Sequence, residues 1–156
     1  VSQPVISTHL GHIQLILSSD GLVRVEQTDR EVTEIDPQHQ QLVALIAQCI
    51  AGEGDGAQIP LVPQGSEFQQ KVWQAMRAIP RGEVRSYSEL AMMAGNPRAT
   101  RAVASACGSN PYVLVVPCHR VVRRDRGLGG FSWGLDVKRA LLRREGIEIS
   151  ADGYIR

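Results

Sequence analysis

From Ser88 to Cys107 the chain reads SELAMMAGNPRATRAVASAC, and this stretch decides the fold of the second half. It predicts two short helical segments, Ser88–Ala94 and Arg98–Cys107, separated by Gly95-Asn96-Pro97. Two helices joined by a short turn containing glycine have the shape of a helix-turn-helix. Many such pairs bind nothing, so the composition of the second helix carries more weight than the pairing. It is rich in small residues, Ala99, Ala102, Ala104, Ser105 and Ala106, which leaves Arg98 and Arg101 as its longest side chains. A helix without bulk can lie close against another surface.

Charge points the same way. The net charge of +1 conceals a polarity: residues 1–70 hold two arginines against nine carboxylates (−7), and residues 71–145 hold fourteen Lys or Arg against five (+9). The last eleven residues contribute −1. Such asymmetry suggests a polyanionic partner for the second half, although a solvated basic face is the plainer alternative.

Upstream, Ser66-Glu67-Phe68-Gln69 has the form of a capping box. Phe68, Val72, Ala75, Met76 and Ile79 make the apolar stripe of the helix it starts, and Pro80-Arg81-Gly82 stops that helix. Gly52-Glu53-Gly54-Asp55-Gly56, with Pro60 and Pro63, reads as a linker between two lobes. Before it, Asp36-Pro37 supplies an N-cap and a first-turn proline. Leu42, Leu45, Ile46, Cys49 and Ile50 then follow the spacing of one buried helix face, which Gly52 ends. The first 27 residues read as strands Val5–His9, Ile13–Leu17 and Leu22–Glu26, with turns at Gly11-His12 and Asp20-Gly21. Downstream, Val113–Val116 reads as a buried strand ended by Pro117, and a last helix runs from Leu135 to Glu145 before Gly146. The expected architecture is α+β: a small sheet-plus-helix lobe over residues 1–63 and a mostly helical lobe over 64–156.

Other classes fall away. With 156 residues and 43% hydrophobic content the chain can build a core and is not globally disordered. Apolar runs such as Tyr112–Pro117 are far shorter than the roughly 20 residues of a membrane span. Val1-Ser2-Gln3-Pro4 does not open a secretory signal, and a start at Val rather than Met is compatible with a piece of a longer protein. Cys49, Cys107 and Cys118 contain no Cys-x-x-Cys pair and suit a reducing compartment better than a disulfide framework. His9 and His12 fall in strand and turn, so no metal site is expected.

The chemistry centres on Pro117-Cys118-His119-Arg120. A free thiol has a pKa of about 8.5 and is a poor nucleophile at neutral pH, but nearby imidazole and guanidinium groups favour thiolate. On this tetrapeptide alone a structural cysteine beside a fortuitous histidine is equally acceptable. Val137, Leu141 and Glu145 share one face of the last helix, so Glu145 is partly desolvated at a helix end that disfavours negative charge. It needs a partner. Arg143 or Arg144 could serve structurally; His119 would complete a Glu–His–Cys relay.

These residues, with their surroundings in order, resemble the O6-alkylguanine-DNA alkyltransferases. Pro117–Val122 is similar to the active-site signature of that family. Phe68–Trp73, Ile79–Glu83, Ser86-Tyr87 and Leu90-Ala91 are similar to its earlier blocks. Gly95–Pro97, Arg101–Val103, Asn110-Pro111 and Leu141–Glu145 are similar to its later ones. The resemblance covers residues 66–147 and is much weaker over 1–65. Phe131–Gly134 and Arg143-Arg144-Glu145 look like the carboxy-terminal half of bacterial adaptive-response proteins.

The resemblance implies stoichiometric, irreversible transfer of an alkyl group from O6-alkylguanine, and from O4-alkylthymine, in duplex DNA to Cys118. His119 is the implied base, acting through a bridging water, with Glu145 orienting it. Asn110 is implied beneath the reactive turn, and Tyr87 as donor to the leaving base. Arg101 is implied to replace the flipped guanine, whose O6 is unreachable inside a duplex; otherwise it reads as a phosphate contact. Arg98, Thr100, Ala102, Ser105 and Arg120 are the further implied DNA contacts. Val116, Pro117, Phe131, Ser132 and Trp133 are the implied pocket, with Gly127, Gly129 and Gly130 making its loop adaptable. Trp133 stands where some relatives have glycine, which predicts a poor fit for bulky adducts. Some relatives carry zinc in the first lobe; Cys49 alone predicts none here. No cofactor is implied. The implied partner is duplex DNA bearing the lesion, met by a monomer in a bacterial cytosol or a eukaryotic nucleus. A thiol hydrolase would use the same Cys–His pair but leaves Arg101, Tyr87 and the basic half unexplained. A non-catalytic lesion sensor or DNA-binding regulator should have lost the acceptor, and Cys118 is intact.

Overall fold

The computed structural model describes Val1–Arg156. It divides into two compact units, one of residues 1–64 with 111–115, the other of residues 65–110 with 116–156. The architecture is a mixed one of an antiparallel sheet and five helices.

In the first unit β1 (Val5–Thr8), β2 (Gly11–Ser18) and β3 (Gly21–Gln27) form an antiparallel meander with β2 central. Ile13, Leu15 and Leu17 alternate along β2 and are fully buried, as one face of a half-buried strand requires. The first turn falls at His9-Leu10, two residues before the predicted Gly11-His12. Asp36 caps a 3-10 turn over Pro37–His39, accepting from the Gln38 amide at 3.1 Å, and α1 (Gln40–Ala51) follows. Gly52 closes α1 in the left-handed conformation. The buried face of α1 is Val43, Ile46, Cys49 and Ile50, with Leu42 and Leu45 at its half-buried margin.

The predicted linker is built into this unit. Leu22 donates to the Pro60 carbonyl at 2.8 Å, and Val62 donates back to Leu22 at 2.9 Å. Gly21 permits this approach, because a side chain there would start 2.3 Å from the Pro60 oxygen. Residues 111–115 belong here as well. Leu114 adopts φ 77°, so the predicted strand Val113–Val116 does not form, and only isolated bridging residues remain. A left-handed residue breaks the two-residue period that a strand needs.

The second unit opens with α2 (Glu67–Arg77). Ser66 and Gln69 make the reciprocal capping box, with Ser66 Oγ accepting from the Gln69 amide at 3.1 Å. Its buried residues are Val72, Trp73 and Met76; Phe68 and Ala75 are half-buried. A short strand, β4 (Arg85–Ser86), pairs in parallel with β5 (Val121–Val122) and leads into α3 (Tyr87–Met93). Ser86 and Glu89 form a second capping box. Helix α4 spans Thr100–Gly108, two residues later than predicted, so Arg98 and Ala99 lie in the connection. Helix α5 (Leu135–Arg144) ends the unit, with Glu145 as its C-cap and Leu142 packed in a small core with Leu128 and Ile149.

Glu145 ties these elements together. Its Oε1 accepts from Arg120 Nε at 2.9 Å and its Oε2 from Arg120 Nη2 at 3.0 Å, while Arg120 Nη1 reaches the Ile79 carbonyl at 2.7 Å. The partner is therefore Arg120, not Arg143 or Arg144. Burial pushes the Glu145 carboxyl up, but hydrogen bonds and charge from His119 and Arg120 outweigh it and hold the group at about 2. A carboxyl held below its free value of about 4.3 stabilises the native state at higher pH and loses that contribution as pH falls to the folded value. We predict that the stability gap between wild type and Glu145→Gln is constant above about pH 5 and shrinks steadily toward pH 2. Chemical unfolding across that range checks it; a gap that stays constant on acidification overturns the ionised assignment.

Candidate active site

Cys118 opens a 3-10 turn, Cys118–Arg120, that runs directly into β5. The turn is buried: Cys118 is 5% exposed and His119 3%. Asn110 holds its approach by donating from Nδ2 to the Val116 carbonyl at 2.9 Å. Burial raises the Cys118 thiol, and the Asn110 side chain and the Lys138 charge oppose that only in part, so the resting group is the neutral thiol.

His119 stands beside it with its two nitrogens in different surroundings. Nε2 lies 2.8 Å from Glu145 Oε2, and an ionised carboxylate can only accept, which assigns the ring proton to Nε2. Nδ1 is then a lone-pair acceptor, buried and with no hydrogen bond to protein. Burial lowers the imidazole, with Glu145 opposing, so the ring is neutral at physiological pH. Phe131 packs edge-on against it, with ring centroids 6.5 Å apart.

Cys118 lines a cleft of about 260 Å³ with Tyr87, Ala104, Cys107, Gly108, Gly130, Phe131 and Ser132. Burial raises the Tyr87 phenol, which keeps it protonated, and a backbone hydrogen bond from Gly130 reaches its oxygen. Gly129, at φ 71°, lies so close that a side chain there would meet the Tyr87 hydroxyl at 2.8 Å. The cleft thus gathers four residues anticipated from sequence: Tyr87, Cys118, Phe131 and Ser132. Val116 and Pro117 are buried but do not line it, because Val116 turns its carbonyl to Asn110. Trp133 is half-buried and outside the lining.

Of the anticipated DNA contacts, Arg98, Arg101, Ala102 and Ser105 are exposed and Thr100 is half-exposed, all on or just before α4. Arg120 must be corrected. Its guanidinium is spent on Glu145 and the Ile79 carbonyl, and its side chain is 12% exposed, so it is not disposed as a DNA contact or as a partner for the thiol.

Lys138 and Cys107 complete the site and were missed by sequence reading. Lys138 is fully buried on α5; its Nζ donates to the carbonyls of Val121 at 2.6 Å and Gly130 at 3.1 Å, bracing the exit of the reactive turn and the cleft loop. Burial brings the ammonium down to about 8, with the Cys118 and Cys107 thiols acting in the opposite sense. The signal was present: Lys138, Leu141, Leu142 and Glu145 are spaced i, i+3, i+4, i+7, and this is the inward face, whereas Val137 is half-buried. No three His, Cys, Asp or Glu side chains converge as metal ligands.

A family model described as the DNA-binding domain of 6-O-methylguanine DNA methyltransferase matches residues 67–147. The probable methylated-DNA–protein-cysteine methyltransferase of Acanthamoeba polyphaga mimivirus is 38% identical over 139 residues, 88% of this chain and 92% of that protein. The bifunctional transcriptional activator/DNA repair enzyme Ada of Escherichia coli is 55% identical over 87 residues, 56% of this chain but 25% of Ada. The chain spans less than two thirds of the length of several other relatives it matches. Among solved structures, Mycobacterium tuberculosis OGT in complex with DNA superposes with a TM-score of 0.81 at 36% identity, covering 93% of this chain and 92% of that one. A cysteine-centred site inside the matched segment, and a fold shared along nearly the whole chain, place this protein in the 6-O-methylguanine-DNA methyltransferase family.

Proposed function

We propose that this chain repairs duplex DNA by moving a methyl or other alkyl group from O6-alkylguanine, and from O4-alkylthymine, onto Cys118. The observation that carries the reading is one buried thiol at a cleft, followed by a neutral imidazole whose far nitrogen is fixed by Glu145 at 2.8 Å. Residues 64–156 form the alkyltransferase and DNA-binding part, working as a monomer in the cytosol or nucleus.

The thiol proton passes through a bridging water to His119 Nδ1, and Glu145 stabilises the resulting imidazolium. The Cys118 sulfur attacks the alkyl carbon, a thioether forms, and the carbon–O6 bond breaks. Tyr87 donates its proton to the leaving base, for which a phenol kept neutral by burial is suited. Asn110 holds the reactive turn through the Val116 carbonyl. No cofactor takes part, and the thioether ends the protein's working life after one transfer. Arg101 enters the stack as the damaged base leaves it, while Arg98, Thr100, Ala102 and Ser105 meet the backbone and groove. Trp133, just outside the cleft lining, disfavours bulky adducts.

Intact and peptide mass after mixing with duplex carrying one O6-methylguanine tests the reaction. One methyl on the Cys118 peptide, at one equivalent per protein and absent in Cys118→Ala, is the expected outcome. Lesion binding without any mass gain would make the chain a sensor and end the enzyme reading. A second experiment addresses Arg101. Extruding a base costs a few kcal/mol, and every ~1.4 kcal/mol of lost compensation slows the step about tenfold. Arg101→Ala should therefore slow transfer from duplex by about tenfold or more and leave attack on free O6-alkylguanine nearly unchanged. Equal losses on both substrates would remove the flipping role.

A further inference from the structure

None of the three cysteines is joined in a disulfide, but their settings differ. Cys49 is on α1 of the first unit. Cys107 and Cys118, both in the second unit, are buried and line one cleft of about 260 Å³. Cys107 sits in the last turn of α4, where its Sγ makes a soft contact to Met76 Sδ at 3.5 Å. The repair chemistry gives this second thiol no task. Burial, followed by the proximity of Cys118, pushes Cys107 up to about 12, so it rests as the neutral thiol.

We infer that Cys107 and Cys118 close a reversible intramolecular disulfide when the protein meets hydrogen peroxide, which keeps the single-use acceptor recoverable. The bond formation rests on the shared cleft; its meaning for repair rests on the proposed function.

The cleft is several times the roughly 30 Å³ that a water occupies in the liquid, so peroxide can reach both sulfurs. Cys118 is oxidised first, because a side-chain hydrogen bond from Asn110 favours its thiolate and the next residue, His119, carries a buried Nδ1, without a hydrogen-bond partner, that can take the proton. Its sulfur takes one peroxide oxygen as the O–O bond breaks, giving a sulfenic acid and water. Cys107 then attacks the Cys118 sulfur. The S–S bond forms, the S–O bond breaks, and the hydroxyl leaves as a second water with the Cys107 proton. Two thiols are oxidised and one peroxide is reduced to two waters. Without a nearby thiol, the sulfenic acid proceeds to sulfinic acid, which ordinary thiols do not reverse. A thiol in the same cleft intercepts it by proximity. Closure asks the last turn of α4 to adjust to disulfide geometry, and Cys107 is one residue from the helix end at Gly108, where helices fray.

The test treats the full chain with a small excess of hydrogen peroxide, blocks free thiols under denaturing conditions and maps the peptides. The expected result is a mass lower by two hydrogens, a Cys107–Cys118 linked peptide pair, a blocked and therefore reduced Cys49, and full reversal by dithiothreitol. Cys107→Ser should instead accumulate sulfinic Cys118 several-fold faster and irreversibly. Sulfinic Cys118 with Cys107 still free in wild type overturns the inference, as do dimers linked through Cys118. None of these readouts needs DNA, so failure of the repair reading would be seen separately. Under that reading, dithiothreitol should restore methyl acceptance to oxidised wild type but not to oxidised Cys107→Ser.

Discussion

The site depends on keeping one carboxylate ionised where water hardly reaches it. A side chain as buried as that of Glu145, 9% exposed, would by itself be driven toward the neutral acid. Three donors reverse this: Arg120 Nε and Nη2 and His119 Nε2, all within 3.0 Å. The planar guanidinium matters because it reaches both carboxylate oxygens and the Ile79 carbonyl at once, which a lysine could not do with the same fixed geometry. The end of α5, the reactive turn and the residue that ends the stripe of α2 are joined through one ion pair, Glu145 with Arg120. The same anion decides which histidine nitrogen is free to take a proton. Removing it would cost the fold an anchor and the imidazole its orientation together.

Burial then sets the chemistry of the thiol. A low-dielectric cleft makes a resting thiolate unfavourable, and the raised Cys118 thiol follows from that. Under the proposed function an acceptor that can be used once gains from this arrangement, since burial shields it from stray electrophiles until a substrate fills the cleft. The opposing influences are the Asn110 side-chain hydrogen bond and, after it, the charge of Lys138. Its ammonium is itself destabilised by burial, to about 8, and is tolerated because two backbone carbonyls satisfy it. It does mechanical and electrostatic work at the same atom. The carbonyls it holds belong to Val121, which follows the reactive turn, and Gly130, whose backbone also hydrogen-bonds to Tyr87. The turn that carries Cys118 and the cleft loop beside Tyr87 are thus braced by one buried cation.

What could be read from sequence and what could not divides along the range of the interactions. The Ser66–Gln69 capping box, the Asp36-Pro37 start and the Gly52 stop are local, and each formed where its residues predicted. The strand at Val113–Val116 was predicted from four consecutive apolar residues, but burial alone supplied that pattern, and Leu114 turns left-handed instead. The Gly- and Pro-rich stretch 52–63 was read as a tether because its residues disfavour regular structure. Its hydrogen bonds to Leu22 depend on a partner some forty residues away. Arg120 beside Cys118 suggested a thiol or phosphate partner; its true partner is 25 residues distant, beyond any local rule. Lys138 was hidden by its type, since lysines on an apolar stripe usually reach back to water, and this one finds carbonyls first.

Helix α4 shows how one short element can serve two surfaces. Arg101, Ala104 and Gly108 are spaced i, i+3, i+7 and so share a face, and the latter two line the cleft. At a rise of about 1.5 Å per residue, Arg101 stands about one turn before the cleft wall on the same face. Its exposed neighbours Ala102 and Ser105 are small enough to let a duplex approach the helix closely. Under the proposed function, a residue that fills the gap left by an extruded base has to lie next to the pocket that receives that base, and it has to be long. Arg101 meets both conditions, and the absence of bulk at Ala104 and Gly108 leaves the pocket side open. The small-residue composition that first marked this helix in the sequence therefore suits two requirements of the proposed function at once, close approach to the duplex and room for the base, and an arginine is the one long side chain on its cleft-facing row.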